Sequence, residues 1–251
     1  MATRALLYRR PAEPATVLVR HGSQFFTVRL RRHRRARRYT LRIHPTDREA
    51  ILTMPPRGTI VEAKEFANIH GGWIAARLGR LPKAAPFQPG TVVPLRGVPH
   101  RLVHRSGERG TVWTETRDSG EKILCVAGGV EHMDRRVHDF LKREARKDLQ
   151  KAAALHAAEL GVRERRISIR DQSSRWGSCT SAGSLSFSWR LILAPPFVLD
   201  YLAAHEVAHL VEMNHSARFW RVVDKVCASV TRAKNWLDTH GNDLHRYGIQ
   251  E

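Results

Sequence analysis

The segment from Phe197 to Glu212 constrains this chain more than any other. Its Leu199, Leu202, Ala203, Ala204, Val207, Ala208, Leu210 and Val211 leave little polar surface, and Pro195-Pro196 suits a first helical turn. A helix apolar on most sides is buried. Within it stand His205, Glu206 and His209, and buried imidazoles and carboxylates need partners. At 100° per residue, with His205 at 0°, His209 falls at about 40° and Glu206 at about 100°. Both imidazoles leave one face, as two ligands to one ion require, with the carboxylate beside them. A divalent cation satisfies all three at once. Zinc takes imidazole nitrogen readily and keeps a position for water when the protein supplies three ligands.

His215 is the expected third ligand. It follows His209 by six residues, past a helix end expected at Asn214, where a left-handed turn would swing it back. Ser216 then caps a second helix, Ala217 to Cys227, with Phe219, Trp220, Val223 and Val226 inward. The His-to-His spacing equals that of the metzincins, H-E-x-x-H-x-x-G-x-x-H. Glu212 holds the glycine position and no methionine follows Met213, so the spacing is shared and the family is not. His240 and His245 are weighed as alternative ligands and read as solvated positions of the C-terminal tail. Cys179 is read as a small buried hydrophobe before an extra ligand. Tyr201 is read as packing before oxyanion donor, and Trp176 as a core plug before a substrate wall that Gly177 would let the backbone approach.

Upstream, period-two alternation marks strands at Thr16–Arg20, Phe25–Arg31, Tyr39–His44 and Ala50–Met54. Thr59 and Glu62 form a capping-box pattern before a helix carrying Phe66, Ile69, Trp73, Ile74 and Leu78, with Gly71-Gly72 in its middle. Short strands resume at Val92–Leu95, Arg101–His104, Thr111–Glu115 and Lys122–Val126. A long helix then runs from Asp134 to Leu160, striped by Val137, Phe140, Leu141, Ala145, Leu149, Ala152 and Leu155 and stopped by Gly161. The expected fold class is α+β: a β-rich N-terminal region, residues 1–130, and a catalytic domain, residues 131–251.

Charge and cysteine content limit the partners. Forty-three basic against 24 acidic residues give a formal +19, and residues 1–50 hold thirteen arginines against three acidic residues. Eight of those arginines lie between Arg29 and Arg42. Such a region is either a solvated face or the contact for nucleic acid or another polyanion. The three cysteines are odd in number and far apart, which excludes a disulfide framework or a Cys-rich zinc site. No stretch spans a membrane, and residues 1–15 lack an apolar run of signal-peptide length. A soluble, cytoplasmic protein is expected, with no membrane partner.

Taken together, Arg175-Trp176-Gly177-Ser178-Cys179, Trp189 to Pro196, the two-histidine helix and Asn214 to Trp220 resemble the YgjP-like metallopeptidase family. That family is of the zincin clan and similar to the SprT and WLM-type proteases. The resemblance implies zinc on His205, His209 and His215, with Glu206 as general base. It also implies a zincin-like domain whose small sheet, with strands at Arg165–Asp171 and Ser184–Arg190, lies beside the active-site helix. Ser173–Gly183 is then a loop near the cleft. The expected function is zinc-dependent hydrolysis of peptide bonds in a peptide or protein substrate. Two alternatives stand beside it: a zinc-dependent nucleotide hydrolase acting on phosphoanhydrides, and a nucleic-acid-associated protein with a structural zinc.

Overall fold

Four short strands open the chain: β1 (Thr16–His21), β2 (Gln24–Arg32), β3 (Thr40–His44) and β4 (Glu49–Met54). This computed structural model describes residues 14–172 and 175–248; residues 1–13, part of the segment read for a leader, and Ser173 and Ser174 of the expected cleft loop lie outside the described residues. The strands form one sheet in the order β1-β2-β4-β3, in which β2 and β4 run parallel and the other pairs antiparallel. One face carries Val17, Val19, Val28, Ala50, Leu52 and Met54, all buried. These pack against Ala63, Ala67 and Ile74 of two helices, α1 (Ile60–Ile69) and α2 (Gly71–Gly79).

The capping box at the start of α1 is present. The Thr59 hydroxyl accepts from the Glu62 amide, and the Glu62 carboxylate accepts from the Thr59 amide at 2.8 Å. The single helix expected here is two, because the chain breaks at His70. Gly71 and Gly72 sit where a Cβ would come to 3.1 Å of the His21 side chain, so close approach to β1 explains both glycines. The break shifts the helical phase. Ile69 and Trp73, expected inward, are 74% and 40% exposed.

The second group of strands is β5 (Val92–Leu95), β6 (Val98–Arg105), β7 (Val112–Thr116) and β8 (Lys122–Ala127), ordered β5-β6-β8-β7. The β5–β6 hairpin turns through Arg96 (φ 53°) and Gly97 (φ 77°), the positive pair that a two-residue primed turn requires. Arg96 donates to Asp148 at 2.7 Å and to Glu144 at 2.9 Å, tying the turn to helix α3 (Met133–Leu160). α3 ends on Gly161 in the left-handed conformation, φ 66°. Its buried stripe matches the expected one except at Leu155, which is 62% exposed, while His156 is buried and paired with Asp200 at 2.9 Å.

Two compact units divide after Leu81: Met1–Leu81 and Pro82–Glu251. The boundary expected near residue 130 thus lies inside the second unit. Leu102, Leu124 and Val126 of the β5–β8 sheet share a hydrophobic core with Val137 and Leu141 of α3. That shared core, invisible to a reading of strands and helices in series, joins the second sheet to the helices that follow it.

The second unit continues with a three-stranded sheet, order β10-β11-β9, from β9 (Arg166–Arg170), β10 (Gly177–Cys179) and β11 (Ser184–Ser188). β10 occupies part of what was expected to be loop, and Trp189 and Arg190 belong to a 3-10 turn, Trp189–Leu193, rather than a strand. Arg190 is 1% exposed. It donates to both Asp171 carboxylate oxygens, at 3.0 and 3.3 Å, and to the Leu244 and Tyr247 carbonyls at 3.0 and 2.8 Å. Helices α4 (Pro196–Ala208), α5 (Ala217–Val226) and α6 (Val230–His240) complete the unit. Among the described residues, no helix is long and apolar enough to cross a membrane.

Candidate metal centre

α4 buries Leu199, Leu202, Ala203, Ala204, Val207 and Ala208 and carries His205 and Glu206 on its last turns. The helix is shorter than its apolar pattern, ending at Ala208 with His209 as cap. There the amides of Leu210 and Val211 turn to carbonyls three residues back, Val207 and Ala208, the tightening common at helix ends. This bend brings the Glu212 carbonyl 3.1 Å from His209 Nδ1. A carbonyl only accepts, so Nδ1 carries the proton and Nε2 keeps its lone pair.

The turn that returns the chain needs no left-handed residue. Asn214, expected to adopt that conformation, has a negative φ, as does Glu212 in the position where the metzincin pattern has glycine. Ser216 follows as the cap of α5, accepting from the Phe219 amide at 3.4 Å. His215, immediately before this cap, comes back over α4. Its Nε2 lies 3.0 Å from Nε2 of His205.

One ring nitrogen from each of His205, His209 and His215 lies within 4.8 Å of the others. Phe219, fully buried, floors the cluster: its ring stacks on His209 at 4.5 Å and meets His205 and His215 edge-on at 4.9 and 4.8 Å. Burial, with the neighbouring His209 and His215, holds His205 down to about 4. It is therefore a neutral imidazole at neutral pH, the form that binds a metal. His209 is lowered chiefly by burial as well. The Nε2 atoms of His205 and His215 face each other at 3.0 Å, and with the free Nε2 of His209 they make a set of convergent nitrogen donors. The residues present fit a metal ion.

Glu206 is 4% exposed. Burial pushes its carboxyl up to about 7, against the partial opposition of Arg175. Its carboxylate lies against the backbone of β10, where a Cβ on Gly177 would fall 2.5 Å from Oε1. Gly177 therefore makes room for Glu206. The sequence assigns Gly177 only to close backbone approach beside Trp176, and the packing of α4 on β10 reveals that Glu206 is what needs the space.

The other weighed residues separate. Cys179 is not among the converging donors, and burial together with the charge of Glu206 pushes its thiol up to about 11. Tyr201 is buried, 5.9 Å edge-on to His205, and burial raises its phenol to about 12. Trp176 is half-buried against the core and stacks on His245 at 5.0 Å. His245, expected in solvent, is 6% exposed because the C-terminal segment folds back under the Arg190 clamp. His240 is exposed, at the end of α6.

A cavity of about 460 Å³ opens beside His209, lined by Thr180, Gly183, Leu210 and Met213 among others. A larger one, about 810 Å³, lies between residues 83–92 and Tyr247 and touches none of the three histidines. The chemistry of the histidine cluster, not cavity size, locates the centre.

No curated protein matches the chain. Among solved structures it is similar to the metallopeptidase zymogen abylysin of Pyrococcus abyssi, at 24% identity and a TM-score of 0.34, covering 39% of this chain and 97% of that one. The family described as YgjP-like, metallopeptidase domain, matches residues 37–240, which include the three histidines, Glu206 and Gly177. The chain belongs to the YgjP-like metallopeptidase family.

Proposed function

We propose that this protein is a zinc-dependent peptidase, with His205, His209 and His215 holding the ion and Glu206 serving as general base. The observation that carries this reading is the convergence of three imidazole nitrogens within 4.8 Å, with a buried carboxyl raised to about 7 on the residue that follows His205. Three nitrogen donors suit zinc and leave a coordination position for water or substrate, the pattern of catalytic rather than structural sites. Bound there, zinc would supply Lewis acidity toward water and a carbonyl oxygen.

The chain's own part is proton handling and exclusion of water. A carboxyl titrating near the working pH both accepts and returns a proton. Glu206 takes the proton of the attacking water and passes it to the leaving amine. Gly177 holds that carboxylate in place from one side. The apolar floor of Phe219 and α4 lowers the local dielectric and strengthens each charge interaction. The cavity beside His209 offers Leu210 and Met213 to an apolar substrate side chain.

The test is hydrolysis by substrate class, using denatured protein, short peptides and nucleoside triphosphates. Proteins or peptides should be cleaved, with the activity lost to a chelator and restored by zinc. Hydrolysis confined to triphosphates would overturn the peptidase reading.

A further inference from the structure

One face of the β1–β4 sheet is buried under α1 and α2, and the opposite face is exposed at Leu18, Arg20, Phe25, Thr27, Arg29, Arg31 and Arg42. The strand register sets its side chains. Arg20 stands opposite Phe25, Leu18 opposite Thr27, and Ile51 lies between Arg29 on β2 and Arg42 on β3. Phe25 is 61% and Leu18 56% exposed, and the Arg20 guanidinium sits 5.9 Å over the Phe25 ring. Ile51 is only 2% exposed, although it lies outside the core beneath the helices. The stems of Arg29 and Arg42 flank it.

The charges of this face are unbalanced. Its acidic groups, Asp47 and Glu49, both turn to Arg29. Among the described residues no carboxylate pairs with Arg31, Arg34, Arg35, Arg37, Arg38 or Arg42, and all six are exposed. Arg34 to Arg38 form the loop that crosses from β2 to β3 at the end of the sheet where Arg31 lies. An unpaired arginine row this dense repels itself unless an anion lies along it.

We propose that this open face binds single-stranded nucleic acid, with phosphates along Arg31, Arg42 and the Arg34–Arg38 loop and a base stacked on Phe25. Phe25 and Arg31 are six residues apart on β2, about 20 Å at the rise of a strand, a span of roughly three nucleotides. An exposed aromatic ring under Arg20, on the same sheet face as Arg29 and Arg31, is what distinguishes this surface from a merely charged one. Stacking on an aromatic ring needs unpaired bases, which favours a single strand over a duplex. The surface belongs wholly to the first unit, so the inference stands independently of the metal centre.

The experiment is fluorescence anisotropy of a labelled 12-nucleotide single strand titrated with the full chain across a salt series. A matched duplex and polyglutamate serve as competitors. Affinity for the single strand should fall linearly with salt on logarithmic axes, with a slope of about −0.7 for each phosphate contact. Arg31→Gln with Arg42→Gln should flatten that slope by about 1.4. Phe25→Leu should weaken binding on the order of tenfold at unchanged slope, and Phe25→Trp should retain it. Absence of salt-dependent binding would overturn the proposal. So would equal competition by duplex or polyglutamate with no effect of Phe25→Leu, which would mark a generic polyanion surface.

Discussion

The Glu206 carboxylate occupies the space that a side chain at Gly177 would fill: a Cβ built there lies 2.5 Å from Oε1 and 2.7 Å from Cγ. A strand on one sheet and a turn of α4 are thus fitted together at a single missing methyl group. Gly177→Ala should push Glu206 out of position while leaving His205, His209 and His215 untouched. The expected result is a fall in kcat of about a hundredfold with metal stoichiometry unchanged. Kinetics and metal analysis on the same preparation check both halves.

The raised Glu206 carboxyl has a pH consequence for the metal-free protein. Its folded pKa, about 7, lies above the ordinary 4.5, so the folded state binds this proton more tightly than the unfolded chain does. The stability contributed is full below about pH 4.5 and lost as pH rises through 7. Glu206→Gln removes the ionisation. The variant should be more stable than wild type by on the order of 3 kcal/mol at pH 8, with the gap closing toward pH 4. Chemical denaturation of both chelated proteins across that range measures it.

His205 titrates in the opposite sense. Its folded value, about 4, lies below 6.5, so its contribution is present above pH 6.5 and lost as pH falls toward 4. The same protonation competes with metal. In the folded protein that competition begins only as pH approaches 4. His205 should therefore remain available to metal at pH 6, and metal affinity should fall steeply toward pH 4, which competition with a chromophoric chelator between pH 4 and 7 reads.

Much of this architecture was legible in the sequence, for identifiable reasons. Alternation located β1 to β4, short strands were expected where β5 to β8 lie, and Gly161 ends α3 in the left-handed conformation. The histidine spacing brought His215 to the cluster because six residues suffice for one turn and a return. What escaped depends on contacts distant in sequence. Nothing local to Gly177 speaks of Glu206. The β5–β8 sheet joined the second unit because Leu102, Leu124 and Val126 share a core with α3. His245 was read as solvated because Arg190, which holds the C-terminal segment down, lies 55 residues away in the chain.

Arg190 carries a stability prediction of its own. It is 1% exposed, with its charge met by Asp171 and two carbonyls. Arg190→Met would leave those carbonyls unpaired, while the Asp171 side chain, 43% exposed, can turn to water. The substitution should destabilise the protein by about 1–3 kcal/mol. Loss of the clamp should also free the stacking of Trp176 on His245, visible as a change in tryptophan fluorescence before global unfolding.

The central claim is that three imidazoles hold one ion while Glu206 alone handles the proton. Its most direct measurement is zinc content and peptide cleavage determined together for wild type and Glu206→Gln. The account predicts about one zinc per chain in both proteins and cleavage in wild type only, with the variant's kcat lower by at least a hundredfold. Wild-type cleavage by Glu206→Gln with zinc retained would contradict it.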